Sequence, residues 1–159
     1  PYSEWLHNGS IDGEFIQGDL IRHSEKEWQM ILRPALSNPR KVFRASSADG
    51  GANWSKAFAT TLPCPLSGVA SLKLKNQGLL VCYNHSEEMK RNPLSLAYVK
   101  PGSIDFEHLC DLETEKFEFS YPMLMRSNSG EIHLIYTFNR KMLKHRELSQ
   151  LLRENYGLE

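Results

Sequence analysis

Short stretches of alternating or β-branched hydrophobic residues recur along the whole chain, with turn-forming residues between them. Nine stretches have the composition and period of β-strands, at 16–23, 28–33, 41–46, 69–75, 79–84, 94–99, 121–126, 132–138 and 142–146. Glycines in the turn segments 76–78 and 128–130 supply the positive φ that tight turns require. The pattern predicts an all-β chain whose successive strands form meanders.

One segment near the C-terminus has helical rather than strand periodicity. Leu148, Leu151 and Leu152 follow the i, i+3, i+4 spacing that places side chains on one helix face. A short helix over 147–155 is therefore predicted, and we expect it to pack on the array of strands.

The strand pattern repeats. Leu20, Leu72 and Leu124 follow one another at intervals of 52 residues in comparable strand-like segments. Repeats of roughly 40 to 50 residues are typical of propeller blades. We predict a single domain that is a partial β-propeller with about three four-stranded blades, in units at about 3–54, 55–106 and 107–158. Because a closed propeller needs roughly four to eight blades, we expect an incomplete domain that belongs to a longer polypeptide, pairs with another copy, or exposes apolar flanks.

A local motif ends the first unit. Residues 47–54 fit the pattern S-x-D-x-G-x-x-W, the Asp box, which forms a hairpin turn between the third and fourth strands of a blade. We expect Asp49 to accept hydrogen bonds from turn amides and Trp54 to pack between sheets. The box is a structural device, so it assigns no chemistry by itself.

Composition narrows the possible partners. Lys and Arg number 19, as do Asp and Glu, so no net field favours nucleic acid or an anionic membrane. No apolar run approaches the ~20 residues that span a bilayer. Cys64, Cys82 and Cys110 lack metal-type spacing and are interpreted as buried strand thiols, without a disulfide framework. We expect no cofactor, no metal, no nucleic-acid partner and no membrane association; the cellular compartment stays open.

Several segments together resemble one protein family. The Asp box and the stretches 62–68, 91–96, 119–124 and 135–141 are similar, in this order, to the C-terminal half of the sialidase-like (neuraminidase) Asp-box or BNR repeat proteins, over about 16–146. The chain also lacks an initiator Met and begins where an earlier Asp box would end, so we expect a fragment. The resemblance implies a six-bladed propeller and a glycosidase that acts on a terminal acidic sugar.

The resemblance also implies site residues. Sialidases grip a substrate carboxylate with three arginines, because a planar guanidinium binds it bidentately, and they use a Tyr nucleophile. By motif register, Tyr121 resembles the nucleophile, Arg91 the last arginine and Arg33 the middle one. Gln17 stands where the family carries the Glu that activates the tyrosine. Since an amide cannot accept that proton, ordinary sialidase chemistry requires another base, for which Glu14 and Asp19 are the neighbouring carboxylates.

Each assignment has a structural alternative. Tyr121 also fits a buried strand aromatic, and Arg33 and Arg91 also fit surface charges or ion pairs between blades. His85 at a strand end fits either a funnel-lining or a structural role. Arg140 fits a turn role as well as it fits the family pattern.

Three functions therefore remain open: a sialidase-like exo-glycosidase, a non-catalytic carbohydrate-binding module, and a scaffold segment of a longer propeller. The first arginine and the acid/base Asp that the family uses would lie in earlier blades, which this chain does not contain. Self-association that completes the propeller is expected if the blade flanks are exposed.

Overall fold

A computed structural model describes residues 8–36 and 38–159. Its regular elements are eleven strands followed by one helix: β1 (Phe15–Arg22), β2 (Trp28–Pro34), β3 (Lys41–Ser47), β4 (Phe58–Pro63), β5 (Ala70–Lys73), β6 (Leu79–Asn84), β7 (Leu94–Val99), β8 (Glu107–Glu113), β9 (Phe119–Arg126), β10 (Ile132–Phe138), β11 (Met142–Glu147) and α1 (Ser149–Tyr156).

The strands form three antiparallel meander sheets, ordered β1-β2-β3-β4, β5-β6-β7-β8 and β9-β10-β11. The first strands of the sheets, β1, β5 and β9, are neighbours in space. The sheets therefore radiate from a shared inner edge, as propeller blades do. The predicted all-β partial propeller with a short C-terminal helix is confirmed.

All nine predicted strands are present, and the helix begins at Ser149 rather than at 147. Two outer strands, β4 and β8, were not predicted, because most of their side chains are exposed or half-buried and no hydrophobic alternation marks them. The prediction of four strands in every blade is wrong for the third sheet, which has three in the described part of the chain. The helix follows its last strand directly.

Apolar side chains fill the spaces between adjacent sheets. One cluster joins the first and second sheets, with Ile31, Val42 and Val81 fully buried. A second cluster joins the second and third sheets, and Leu148 and Leu152 of the helix segment pack into it. The helix is thus held on the array by its apolar face, as its periodicity predicts.

The 52-residue repeat places its leucines in equivalent strands but not on equivalent faces. Leu20, Leu72 and Leu124 lie in β1, β5 and β9, the inner strands. Leu72 packs toward the third sheet and Leu124 toward the second, whereas Leu20 is 50% exposed on the face turned away from the second sheet. Because side chains alternate between the faces of a strand, a one-residue difference in spacing reverses the face.

Both outer faces of the array are apolar and open. Ile16 and Leu20 are exposed on the free face of the first sheet, and Met123, Met125 and Leu143 are exposed on the third sheet. Patches of this kind mark protein-protein contacts in folded proteins. The two faces flank the array on opposite sides.

The Asp box forms the turn between β3 and β4, as predicted. Asp49 accepts hydrogen bonds from the backbone N–H and the Nδ2 of Asn53, at 2.9 and 2.7 Å. Ser47 Oγ donates to Asp49 Oδ1 at 2.8 Å and accepts from the N–H of Gly51 at 2.9 Å. Trp54 donates to the carbonyl of Gly51 at 3.0 Å. The turn therefore satisfies its polar groups internally.

The packing predicted for Trp54 differs in the structure. The indole packs with Leu32, Phe43 and Ala45 on the free face of the first sheet, where no second sheet of the described chain lies. Two of the three thiols also differ from expectation. Cys82 is buried in a strand as expected, but Cys64 is buried in the loop after β4 and Cys110 is only half-buried. All three are free.

Candidate functional site

A cleft of about 970 Å³ lies where the end of β2, the segment before β7 and the segment before β9 meet. Its lining is strongly cationic. Five basic side chains and one carboxylate face it: Arg33, Lys90, Arg91, Lys116, Arg140 and Glu118. Such an excess of positive charge at a concave surface favours an anionic ligand.

Arg33 lies near the end of β2 and lines this cleft. It is the register partner of Gln17 in β1. The two side chains therefore lie on one face of the first sheet. The Nε of Arg33 is buried and has no hydrogen-bond partner among the described residues. Since buried polar groups are nearly always paired, this donor is available to a ligand.

Arg91 reaches the cleft from the second sheet and lies against Tyr121 of the third. Its guanidinium carbon is 5.3 Å from the centre of the Tyr121 ring, within the range of a cation-π contact. The backbone of Phe119 donates to the carbonyl of Arg91 at 2.9 Å. Asn84, fully buried, donates to the carbonyls of Pro93 and Phe119, both at 3.1 Å. These bonds fix the Arg91 segment to the start of β9.

Tyr121 is 55% exposed and has a left-handed backbone conformation with a φ of 52°. The alternative of a buried strand aromatic is therefore wrong. The Arg91 guanidinium beside the phenol lowers the pKa of Tyr121, and the charges of Arg33 and Arg140 act in the same direction. A lowered pKa makes the phenolate, the nucleophilic form, more accessible.

Gln17 and Tyr121 approach each other across Gly68. A β-carbon at Gly68 would lie 2.9 Å from Gln17 Oε1 and 3.5 Å from the Cα and Cδ1 of Tyr121. Glycine therefore leaves the space in which the amide and the aromatic residue come together. Of the four residues of the sequence hypothesis, Arg33 and Arg91 line the cleft, and Gln17 and Tyr121 lie beside them without being part of its lining.

Asp19, one of the two carboxylates that could replace the missing Glu, is engaged elsewhere. Asp19 lies two residues from Gln17 on the same face of β1, but its Oδ2 accepts hydrogen bonds from the backbone N–H and, at 2.6 Å, the Oγ of Ser71. Arginines alone account for the lowered pKa of Tyr121 among the charged groups around it. Gln17, a neutral amide, thus brings no negative charge to the phenol.

Glu118 organises the arginines and was missed by sequence reasoning. Its Oε1 accepts from Arg140 Nε at 3.1 Å, Ser120 Oγ at 2.7 Å and Arg91 Nη1 at 3.3 Å. Arg140, the charge of Arg91 and the Ser120 hydroxyl lower the pKa of Glu118. In the sequence, Glu118 differs from the other acidic residues only in its position two residues before Ser120, which belongs to the family-like segment 119–124. That position is the one signal that could have indicated its role.

Arg140 combines both of its predicted alternatives. It has a φ of 54° in the turn between β10 and β11, and its side chain also lines the cleft. Arg91 likewise forms an ion pair between sheets while lining the cleft. His85, by contrast, is bonded to the hydroxyl of Tyr83 and lies outside the cleft lining.

Residues 8–36 and 38–159 contain no group of three or more His, Cys, Asp or Glu side chains placed to hold a metal ion. Over the same residues, no helix is long and apolar enough to cross a membrane.

Comparisons with solved structures show the same fold. The NanB sialidase from Streptococcus pneumoniae superposes with a TM-score of 0.63 at 13% identity, over 75% of this chain and 19% of that one. The leech intramolecular trans-sialidase gives a TM-score of 0.69 at 13% identity, over 88% and 24%. An exo-β-1,3-galactanase from Clostridium thermocellum gives 0.61 at 12% identity, over 88% and 38%.

The chain thus spans about a fifth of the NanB chain. No curated protein matches it in a sequence search. A family model described as a BNR repeat-like domain matches residues 4–134. That match covers most of the sequence, and the chain therefore belongs to the BNR repeat-like domain family.

Proposed function

We propose that the cleft binds a terminal acidic sugar through its carboxylate, with Arg33 and Arg91 as the gripping residues and Tyr121 beside the ring. The observation that carries this proposal is the buried, unpartnered Nε of Arg33 in a cleft with five basic side chains and one carboxylate. A guanidinium donates two parallel hydrogen bonds to a carboxylate. The ligand would supply the acceptor that the protein leaves absent.

Binding without turnover is the outcome that we expect from the chain as it stands. Gln17 is neutral and cannot take the phenolic proton, and the Asp19 carboxylate is bonded to Ser71. The resemblance further implies that one arginine and the acid/base carboxylate belong to blades that the chain does not contain.

Exo-sialidase-like hydrolysis is the second candidate. The lowered pKa and the exposure of Tyr121 favour it, because both suit a nucleophile. In this case Tyr121→Phe should abolish turnover and leave folding intact, and Gln17→Glu should raise turnover by restoring a base.

One experiment separates these functions. The chain is titrated calorimetrically with N-acetylneuraminic acid and, separately, with its methyl ester, which lacks the charge. Hydrolysis of a fluorogenic sialoside is assayed in parallel. The proposal is supported if the chain binds the acid but not the ester, and if Arg33→Met abolishes this binding. The matched control Arg153→Met, at an exposed position of the helix, should keep it. Equal binding of acid and ester would contradict the proposal. Turnover that Tyr121→Phe removes would establish the hydrolase.

The proposal extends to self-association through the open faces that expose Leu20 and Leu143. Burying such faces against a second copy would remove apolar surface from water. Sedimentation velocity over a concentration series should show association that Leu143→Glu weakens. A monomer at every concentration would exclude it.

A further inference from the structure

A second groove, of about 880 Å³, lies between the first and second sheets at the strand ends opposite the cleft. The start of β2, the end of β3 and the end of β7 line it, whereas the cleft lies at the end of β2 and before β7. The Asp-box turn forms one of its walls. Nothing in the proposed sugar-binding function uses this groove.

A buried amide with an unused end faces the groove. Gln29 is 4% exposed and lines the groove from β2. Its Oε1 is 3.1 Å from the Nε2 of His23, while its Nε2 is buried and no group in the described part of the chain pairs with it. Leaving a buried donor unsatisfied carries a free-energy cost, because the donor has lost its hydrogen bonds to water. A ligand acceptor in the groove would remove that cost.

A half-buried cation without a counter-ion lies beside that amide. Arg44 Nη1 donates to the carbonyl of Ser103 at 3.1 Å. Across residues 8–36 and 38–159, no carboxylate forms an ion pair with Arg44. Burial lowers the pKa of Arg44, yet a guanidinium remains charged at neutral pH. The groove therefore holds a partly desolvated positive charge that is not neutralised locally.

The two groups converge on one place. Gln29 pairs with Ser46 and Ile31 pairs with Arg44 in the β2–β3 ladder. Gln29 and Arg44 are thus diagonal neighbours on the face turned toward the second sheet, about 7–8 Å apart at the backbone. Side chains at this separation can contact one small planar group simultaneously.

The other charges of the groove are mostly engaged. Both oxygens of Asp49 accept hydrogen bonds within the Asp-box turn. Lys100 lies 3.8 Å from Glu107 in an exposed ion pair. Glu27 also lines the groove and carries a negative charge. Arg44 is consequently the lining cation for which the described residues supply no counter-ion.

We propose that this groove is a second binding site, which takes the carboxylate of a small ligand between the Arg44 guanidinium and the Gln29 amide. One carboxylate oxygen accepts from Arg44 and the other from the unused amide donor. Such a planar arrangement of donors matches a carboxylate. The site is independent of the arginine-lined cleft, so either can fail without the other.

The test uses the whole chain carrying Arg33→Met, which disables the cleft. The Gln29 side-chain amide and Arg44 Nε resonances are followed by NMR while sodium acetate is added at constant ionic strength. Acetamide, the neutral isostere, and sodium chloride are the control probes. Saturable shifts of both resonances with acetate alone are expected.

Variants sharpen the test. Arg44→Gln should weaken acetate binding about tenfold or more, whereas the exposed Arg153→Gln should leave it unchanged. Gln29→Leu should weaken binding because it removes the unpartnered Nε2 donor, and it also removes the contact of Gln29 Oε1 with His23. Glu27→Gln should strengthen binding. Equal shifts with acetamide, or acetate binding unchanged in Arg44→Gln, would overturn the proposal.

Discussion

The Asp-box turn and the arginine-lined cleft are both built from polar side chains, but they differ in how those side chains are paired. In the turn, Ser47, Asp49 and Asn53 bond to one another and to local backbone groups. In the cleft, Arg33 keeps a buried donor without an acceptor, and basic side chains outnumber carboxylates five to one. Internal pairing stabilises a fold, whereas unpaired groups are retained only where something else uses them. The contrast fits a structural role for the turn and supports the proposal that the cleft binds a ligand.

The largest expected effect is a loss of ligand affinity when Arg33, the cleft residue with the unpaired donor, is replaced. Arg33→Met should reduce affinity for an acidic sugar by about 1.5–3 kcal/mol, roughly 10- to 150-fold, because a charge-assisted hydrogen bond is lost. Its free energy of unfolding should not fall, since the native Nε has no partner to lose. Calorimetric binding and urea unfolding measure the two quantities. A large loss of stability with unchanged affinity would make Arg33 a structural residue.

A substitution in the Asp-box turn, where the polar groups are paired, should instead lower stability and leave ligand affinity unchanged. Ser47→Ala removes the acceptor of the buried Gly51 N–H, so the free energy of unfolding should fall by about 1–2 kcal/mol. Affinity for the acidic sugar should stay within twofold of the parent chain, because the turn lies at the opposite strand ends. Urea unfolding and calorimetry are again the measurements. Weakened sugar binding would show that the two regions are coupled.

A smaller effect is expected from acid. Hydrogen bonds from the Asn53 backbone and side chain lower the pKa of Asp49 from 3.8 to about 2. A depressed folded-state pKa means that the stabilisation is fully present above the unfolded value and is lost as pH falls from about 4 toward 2. Asp49→Asn should flatten this part of the pH-stability profile, measured by thermal unfolding. Parallel profiles for both proteins would contradict the assignment.

The smallest effect is spectroscopic. The phenol of Tyr121 should ionise below the ordinary value near 10 because of the arginines around it. Arg91→Gln should raise that pKa, as followed by difference absorbance near 295 nm against a Tyr121→Phe reference. Tyr121→Phe should leave stability unchanged, since the side chain is mostly exposed. An ionisation unaffected by Arg91→Gln would remove the electrostatic basis for a nucleophile.

The inner and middle strands were predictable because burial on one or both faces leaves a hydrophobic pattern. In β6 every residue from Leu79 to Asn84 is buried, and the predicted and observed limits agree. The outer strands β4 and β8 have a neighbour on one side only, and most of their side chains are exposed or half-buried. Their extended conformation is stabilised by backbone pairing with β3 and β7. Backbone pairing leaves no hydrophobic pattern in the sequence, so these strands were not predicted.

The candidate site was predictable in part for a similar reason. Arg33, Arg91 and Tyr121 lie in motifs that resemble a family pattern, and Gln17 was identified through its departure from that pattern. Asn84, Glu118 and the unpaired state of the Arg33 Nε depend on which sheets meet at the cleft. Local sequence patterns do not reveal such contacts, because many of them join distant segments, as in the hydrogen bond from Asn84 to the Phe119 carbonyl, 35 residues further along the chain.

The cleft takes Arg33 from the first sheet, Arg91 from beside the second and Arg140 from the third. A ligand that contacts all three arginines would link the three sheets. It would bind only the state in which all three sheets pack against one another. A ligand at 100 times its dissociation constant would stabilise that state by about 2.7 kcal/mol. Saturation would therefore narrow the unfolding transition, and sheets that open separately in the free protein would melt as one unit.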